Sequence, residues 1–397
     1  MADVALYLSG LRLRRLQRFS KWHTADTHGA IVITETKYII ASGLAAFVSS
    51  LIFTMLIRRW ALRRGFVDQP GGHHTTHTEP IALGGGIVIF WITILPIAIV
   101  AALVWWWQAH GIPGFLPQTL AIHIPGLASR TELALTLVVA AGLLHIMGLM
   151  DDKHHLGPKL KLAVQLTAAI LLAGVGGVRF DFFIPNVWLT TILSVLWIVV
   201  IINAFNFLDN MDGLSAGVAV ICAAMTLGAA WNSGQVFVSG LLIILIGTLC
   251  GFLVFNFAPA KIFMGDAGSL LVGLLLATAT IRTTYYQQNS SEAAWYNTLM
   301  PLIVLAVPLY DFLSVTTLRL LQGKSLFIGD KQHFSHRLVS RGMTRRQAVL
   351  TIYLATACTG LGATVLHQLS STAVILVFVQ TLLILLIIAI LEHPGKV

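Results

Sequence analysis

The chain has 397 residues, 57% of them hydrophobic and only 10% charged, with a formal net charge of +9. Soluble proteins carry about 25% charged residues, and a domain of this size could not cover its surface with so few. The composition therefore excludes a soluble globular protein and predicts an all-α integral membrane protein. The basic excess does not point to nucleic acid, because basic residues of membrane proteins gather in cytoplasmic loops.

Residues 1–37 are basic, with Arg12, Arg14, Arg15, Arg18, Lys21 and Lys37. They lack the apolar core and small-residue cleavage site of a signal peptide. They read as an in-plane amphipathic or partly disordered segment ahead of a single multi-pass domain, 38–397. A membrane span takes about 20 mostly apolar residues. Eleven stretches qualify, near 38–57, 85–105, 133–150, 161–178, 188–208, 214–231, 237–257, 267–284, 297–318, 347–366 and 372–391. Three basic residues, Arg130, Arg179 and Arg282, lie in the even-numbered gaps, against sixteen in the odd-numbered gaps and C-terminal tail. The positive-inside rule makes the odd side cytoplasmic. By parity residues 1–37 then face the other side, against their own charge. Cys222, Cys250 and Cys358 all fall in apolar stretches and suggest neither a disulfide framework nor a zinc site.

The acids are the main functional signal. Asp151 and Asp152 end the third span, Asp209 and Asp212 follow the fifth, and Asp266 precedes the eighth. All five fall on the cytoplasmic side, in short loops. Ionisable residues beside lipid are costly and mark functional sites. Asn203, Asn206, Asp209 and Asp212 recur every third residue. Such steps drift about 60° on a helix of 3.6 residues per turn, so one ligand can meet the set only if the helix breaks near Asn210–Gly213. Gly265-Asp266-Ala267-Gly268 opens the eighth span with backbone amides suited to phosphate and an acid suited to a cation. Lys159 and Lys161 serve either as flanking charges or as phosphate ligands. The largest loop offers Asp330, Lys331, His333, His336 and Arg337, groups suited to a pyrophosphate. His73, His74 and His77 read as a substrate loop more readily than as metal ligands.

In this order the motifs resemble those of the polyprenyl-phosphate N-acetylhexosamine-1-phosphate transferases, over most of the chain from about residue 38. The paired aspartates fall on Asp151 and Asp152. Asn-x-x-Asn-x-x-Asp-x-x-Asp-Gly falls on Asn203, Asn206, Asp209, Asp212 and Gly213, and Met-Gly-Asp-x-Gly-Ser on Met264, Gly265, Asp266, Gly268 and Ser269. In the first cytoplasmic loop His77, Pro80, Gly85 and Gly86 fit, while His74 and Thr75 replace a basic pair and Ala82 a proline. His333 and His336 match the ends of a His-x-His-His run, with Ser335 in place of its middle histidine, which is similar to the GlcNAc branch.

The resemblance implies transfer of a sugar-1-phosphate, foremost N-acetylglucosamine-1-phosphate, from a UDP-sugar to polyprenyl (undecaprenyl) phosphate. It implies an active site of cytoplasmic loops and helix ends in the inner (plasma) membrane, serving cell-envelope glycan synthesis, and leaves a homodimer open. Asp151, Asp152, Asp209 and Asp212 are then catalytic. Asp266 and Asn206 would hold Mg2+, with Mn2+ as a substitute. Lys161, Asn203, Gly265, His333, His336 and Arg337 would contact substrate. Two other classes fit less well. A CDP-alcohol phosphotransferase would need an Asp-Gly-x-x-Ala-Arg signature, whereas Asp212-Gly213 runs on to Leu214-Ser215-Ala216-Gly217. A transporter would place acids near the bilayer midplane on broken helices, which Asp311 alone does here.

Overall fold

The computed structural model describes residues 36–70, 79–180, 186–283, 299–324 and 332–392. The expectations for residues 1–35, for His73, His74 and His77, and for Asp330 and Lys331 lie outside the described residues. Within them the chain is helical apart from one short antiparallel pair, β1 (Val67–Asp68) and β2 (Ile81–Ala82). The first helix is α1 (Thr36–Arg64). There follow α2 (Gly85–His110), α3 (Gln118–Ala121), α4 (Ile124–Ala128), α5 (Thr131–His154), α6 (Pro158–Gly174), α7 (Val187–Leu208), α8 (Leu214–Asn232), α9 (Val236–Asn256) and α10 (Asp266–Thr283). The chain continues as α11 (Met300–Val304), α12 (Ala306–Leu321), α13 (Phe334–Ser340), α14 (Arg345–Gly360), a 3-10 segment (Leu361–Gln368) and α15 (Ser371–Glu392).

Among the described residues, eight helices are long and apolar enough to cross a bilayer: α1, α2, α5, α7, α8, α9, α14 with its 3-10 extension, and α15. The expected count of eleven is not met by that measure. The three remaining stretches are helical but different in kind. α6 has 17 residues. α10 has 18 and is buried along nearly its whole length, against α5, α7, α2, α8 and α9. A helix surrounded by protein does not need the lipophilicity of one facing lipid. The third stretch is divided into α11 and α12 at Leu305. Pro308 explains that division, since its ring has no N–H for the carbonyl of residue 304 and clashes with it.

Lipid tails are as apolar as leucine, so membrane helices associate through close packing and hydrogen bonds rather than through hydrophobic burial. The contacts follow that rule. On α9, a Cβ at Gly247 would lie 2.2 Å from the Gly43 carbonyl oxygen and one at Gly251 2.5 Å from that of Phe47, both on α1. Ser50 of α1 donates to the Thr248 carbonyl at 2.6 Å. On the central helix, a Cβ at Gly273 would meet the α7 backbone at Ile202, 2.6 Å away. Large apolar side chains point outward instead, on α1 (Leu44, Ile52) and on α15 (Leu383, Ile387, Ile390).

Backbone contacts also fix the end of the bundle where the acids lie. The 262–265 segment is held at the start of α2 by Gly85 N–H to Phe263 O (3.0 Å) and Gly86 N–H to Met264 O (2.9 Å). A Cβ on Gly86 would sit 2.5 Å from the Gly268 nitrogen, and one on Gly148 of α5 2.4 Å from the Ala267 Cα. Three backbones thus meet around the N-terminus of α10 because glycines let them.

Candidate active site

The helix ends of α5, α6, α7 and α10 bring together six residues singled out in the sequence: Asp151, Asp152, Lys161, Asn206, Asp209 and Asp266. Asp152, in the last turn of α5, accepts the Asp266 N–H at 2.7 Å and the Ala267 N–H at 3.4 Å. It therefore caps α10 from another helix and takes up amides left without partners at a helix start. Gly265 is required by that contact. Its φ is 68°, and a Cβ there would lie 2.5 Å from the Asp152 carboxylate. The residue expected to touch substrate thus first makes room for an aspartate.

Asp151 and Asp266 share the Lys161 ammonium, which enters from the first turn of α6 at 2.5 and 2.8 Å. Asp151 also accepts the Leu156 N–H at 2.6 Å, fixing the α5–α6 turn. Asn206, near the end of α7, donates to the other Asp266 oxygen at 2.9 Å and lies 3.1 Å from the Ser269 hydroxyl. One turn earlier Asn203 is spent differently. Its amide pairs with Gln165 of α6 at 2.7 Å and donates to the Val199 carbonyl at 2.8 Å, which joins two helices.

α7 ends at Leu208 and α8 begins at Leu214, with Gly213 at φ 75° between them. The break expected near Asn210–Gly213 therefore exists, and it turns Asp209 and Asp212 away from a single helix face. Asp212 accepts the Ala260 N–H at 2.9 Å and so ties this turn to the α9–α10 connection. Among the described residues, none donates a hydrogen bond to the Asp209 carboxylate. Burial, followed by the charges of Asp266, Asp152 and Asp212, holds its carboxyl well above the usual carboxylate range. Such a group takes up either a proton or a cation.

The second cluster lies around α13. Asp311, fully buried on α12, accepts from His333 Nδ1 at 3.0 Å and from the Phe334 N–H at 2.6 Å. Its carboxylate thus orients the imidazole and caps α13. His333 meets Phe207 edge-on, 5.6 Å between ring centres, and His336 at 6.4 Å. Ser335 donates to Asn210 at 2.5 Å, joining this loop to the break between α7 and α8. The Arg337 guanidinium is engaged by Glu392 (2.7 Å), by Ser314 (2.8 Å) and by the Gln332 carbonyl.

Comparison with known proteins agrees with this geometry. Residues 134–284 match the model of glycosyl transferase family 4. The chain is 32% identical over 368 residues to a Bacillus subtilis protein named a probable undecaprenyl-phosphate N-acetylglucosaminyl 1-phosphate transferase, covering 90% of this chain and 93% of that one. It is 32% identical over 344 residues to a Mycobacterium tuberculosis decaprenyl-phosphate N-acetylglucosaminephosphotransferase, covering 81% and 80%. A Yersinia pestis undecaprenyl-phosphate alpha-N-acetylglucosaminyl 1-phosphate transferase is 28% identical over 325 residues, covering 78% of this chain and 80% of that one. The chain belongs to the polyprenyl-phosphate N-acetylglucosamine-1-phosphate transferase family. The matched segment 134–284 runs from α5 to the end of α10 and contains all six residues of the first cluster, together with Asp212.

Among the described residues no three His, Cys, Asp or Glu side chains form a ready-made metal cage. Mg2+ does not need one, since it keeps several waters and binds through one or two carboxylates and substrate phosphates. Asp209, beside Asp266, fits that demand. Asp311 is the residue that sequence reasoning misses in this transferase. By sequence it reads as a midplane polar group, and its pairing with His333, 22 residues away, leaves no local signal.

Proposed function

We propose that this chain transfers N-acetylglucosamine-1-phosphate from UDP-N-acetylglucosamine to polyprenyl phosphate on the cytoplasmic face of the plasma membrane. A phosphate oxygen of the lipid attacks the β-phosphorus of the UDP-sugar. The bond from that phosphorus to the oxygen bridging it to the α-phosphate breaks, UMP leaves, and the lipid becomes a diphosphate-linked sugar. The observation that carries this reading is the meeting of Asp151, Asp152, Asp266, Asn206 and Lys161 at the ends of four helices, beside an Asp209 carboxylate to which no described residue donates.

Phosphoryl transfer asks mainly for positioning and charge neutralisation. Asp209 and Asp266 would hold Mg2+, with Asn206 orienting Asp266, and the ion would offset charge on the diphosphate. Lys161 is held at the same point and would bind a phosphate oxygen once Asp266 turns to a cation. Asp152 fixes the N-terminus of α10, so that the Asp266 carboxylate is presented in one orientation. Both Asp151 and Asp152 are occupied by ammonium or amide donors. That supports an orienting role over proton abstraction, for which the need is small: the second pKa of a phosphate monoester is near 6, so most acceptor is already a dianion above neutral pH.

The test is direct. Purified protein is incubated with radiolabelled UDP-N-acetylglucosamine, polyprenyl phosphate and Mg2+, and labelled lipid is extracted while UMP is measured. Labelled lipid and UMP in equal amounts, both lost with a chelator, are expected; release of free sugar phosphate without lipid product would overturn the assignment. A site that hydrogen-bonds an acetamido group should reject a plain hexose strongly, so UDP-glucose serves as the specificity control.

A further inference from the structure

The turn between α7 and α8 carries Asp209, whose carboxylate receives no hydrogen bond from any described residue. Its direction is therefore set by the backbone of residues 209–213. That backbone gets little from its own segment. The Asp209 N–H reaches the Asn206 carbonyl only at 3.3 Å, a long bond, and the chain then turns into α8 through Gly213 at φ 75°. Asp212 adds one tie, to the Ala260 N–H.

Two hydroxyls from the C-terminal part of the chain add the others. Ser335, buried on α13, donates to the Asn210 side-chain oxygen at 2.5 Å. The Asn210 amide is fixed for that role, because its nitrogen donates to the Phe207 carbonyl at 2.7 Å. Tyr353, half-buried on α14, donates to the Gly213 carbonyl. The same carbonyl accepts the Gly217 N–H at 2.9 Å, so the phenol and the start of α8 share one oxygen. α14 packs against α8, and Gly217 makes room for the phenol, since a Cβ there would overlap the Tyr353 ring. Buried hydroxyls need partners, but many carbonyls could serve. Here both partners, 125 and 140 positions away in sequence, fall between residues 210 and 213, directly after Asp209.

We propose that Ser335 and Tyr353 are positioning residues, which clasp the α7–α8 turn from α13 and α14 and so fix the direction of the Asp209 carboxylate. The inference rests on the reading of Asp209 as a Mg2+ ligand. Mg2+ demands near-ideal octahedral geometry, so a small rotation of one ligand lowers affinity. The clasp also joins the two charged clusters, because α13 follows His333 directly and contains His336.

Ser335→Ala and Tyr353→Phe each remove one hydroxyl and keep most of the packing. Binding of Mn2+ to the full chain without substrate is followed through the free-ion signal in electron paramagnetic resonance, beside thermal unfolding. Each variant is expected to weaken Mn2+ binding about fivefold, the order expected of one hydrogen bond. Asn210→Ala should weaken it too, and Ser335→Ala should then add nothing, because the bond is already gone. Asp209→Asn, the control for the metal reading, should weaken binding far more. Unchanged Mn2+ affinity in both hydroxyl variants, with binding lost in Asp209→Asn, would overturn the positioning role whatever the unfolding midpoint does. Full additivity of Ser335→Ala and Asn210→Ala would overturn the Ser335 contact as its cause. Undiminished binding in Asp209→Asn would instead overturn Asp209 as a ligand, and the purpose of the clasp with it.

Discussion

At the junction of α5, α6, α7 and α10, Asp209 has a carboxylate to which no described residue donates, and Asp151 and Asp266 share one ammonium. Around α13 Asp311 is used up: His333 takes one of its oxygens and the Phe334 amide the other. Glu392 there is engaged on one oxygen, by Arg337 and the Tyr310 hydroxyl. Both regions are rich in charge, and both join distant segments. Asp209 and Asp311 differ in whether the protein itself completes the carboxylate. Where it does, the acid positions a neighbour; where it does not, the acid is left for a ligand, because a buried charge without a partner is too costly to keep for structure.

The largest effect should come from the incomplete cluster. Asp266→Ala is expected to lower turnover by roughly three orders of magnitude, since removing a metal ligand withdraws several kcal/mol of charge stabilisation. The side chain also holds Lys161 and Asn206, so thermal unfolding should be measured beside turnover. Near-native turnover at low Mg2+ would show that Asp266 is not a ligand. Next come Asp151→Asn and Asp152→Asn, each expected to cost on the order of 10²-fold, with at least one loss constant between about pH 6 and pH 8.5. A general base contributes about 10²–10⁴-fold, but its loss should be recovered as pH rises and the acceptor ionises by itself. Recovery in both variants would restore the base.

Asp209 makes the comparison depend on pH. Its carboxyl is held above the usual range by burial and then by Asp266, Asp152 and Asp212, so protons would compete at low pH with the proposed Mg2+ for it. The Mg2+ concentration giving half-maximal turnover should therefore fall as pH rises. Asp209→Asn should lower turnover and flatten that dependence. An unchanged slope in the variant would place the competing proton elsewhere.

The completed cluster should respond more mildly. Asp311→Asn is expected to raise KM for the UDP-sugar about tenfold with a smaller change in kcat, because it frees the His333 ring rather than removing it; one tenfold step corresponds to about 1.4 kcal/mol. A pure loss of stability with unchanged KM would make Asp311 structural only. The smallest effect separates two uses of Arg337. Arg337→Gln and Glu392→Gln should each destabilise by about 1–3 kcal/mol, and if the guanidinium also meets diphosphate, only the arginine variant should raise KM.

Much of the first cluster is legible in the amino-acid sequence. Acids are rare in this chain, and five of them stand in short loops on one side, which charge asymmetry alone can assign. The break after Leu208 is legible too, since four polar groups spaced by three cannot share a helix face. The use of Asn203 is not, because its amide is spent on Gln165 of a different helix. The span count differs from expectation for a related reason. Apolar length reports what faces lipid, and α10 is packed against protein along nearly its whole length.

The sequence by itself determined the membrane class, the asymmetry of charge between the two sets of loops, the family resemblance and the identity of the acids, because each follows from local composition or spacing. The tertiary structure alone decided which acids are spent and which are left. That depends on contacts between residues 22 to 114 positions apart, such as Asp311 with His333 and Asp152 with the Asp266 amide. It depends equally on Gly86 and Gly148, where the absence of a Cβ lets three backbone segments approach closely, and on Gly265, where it leaves room for the Asp152 carboxylate.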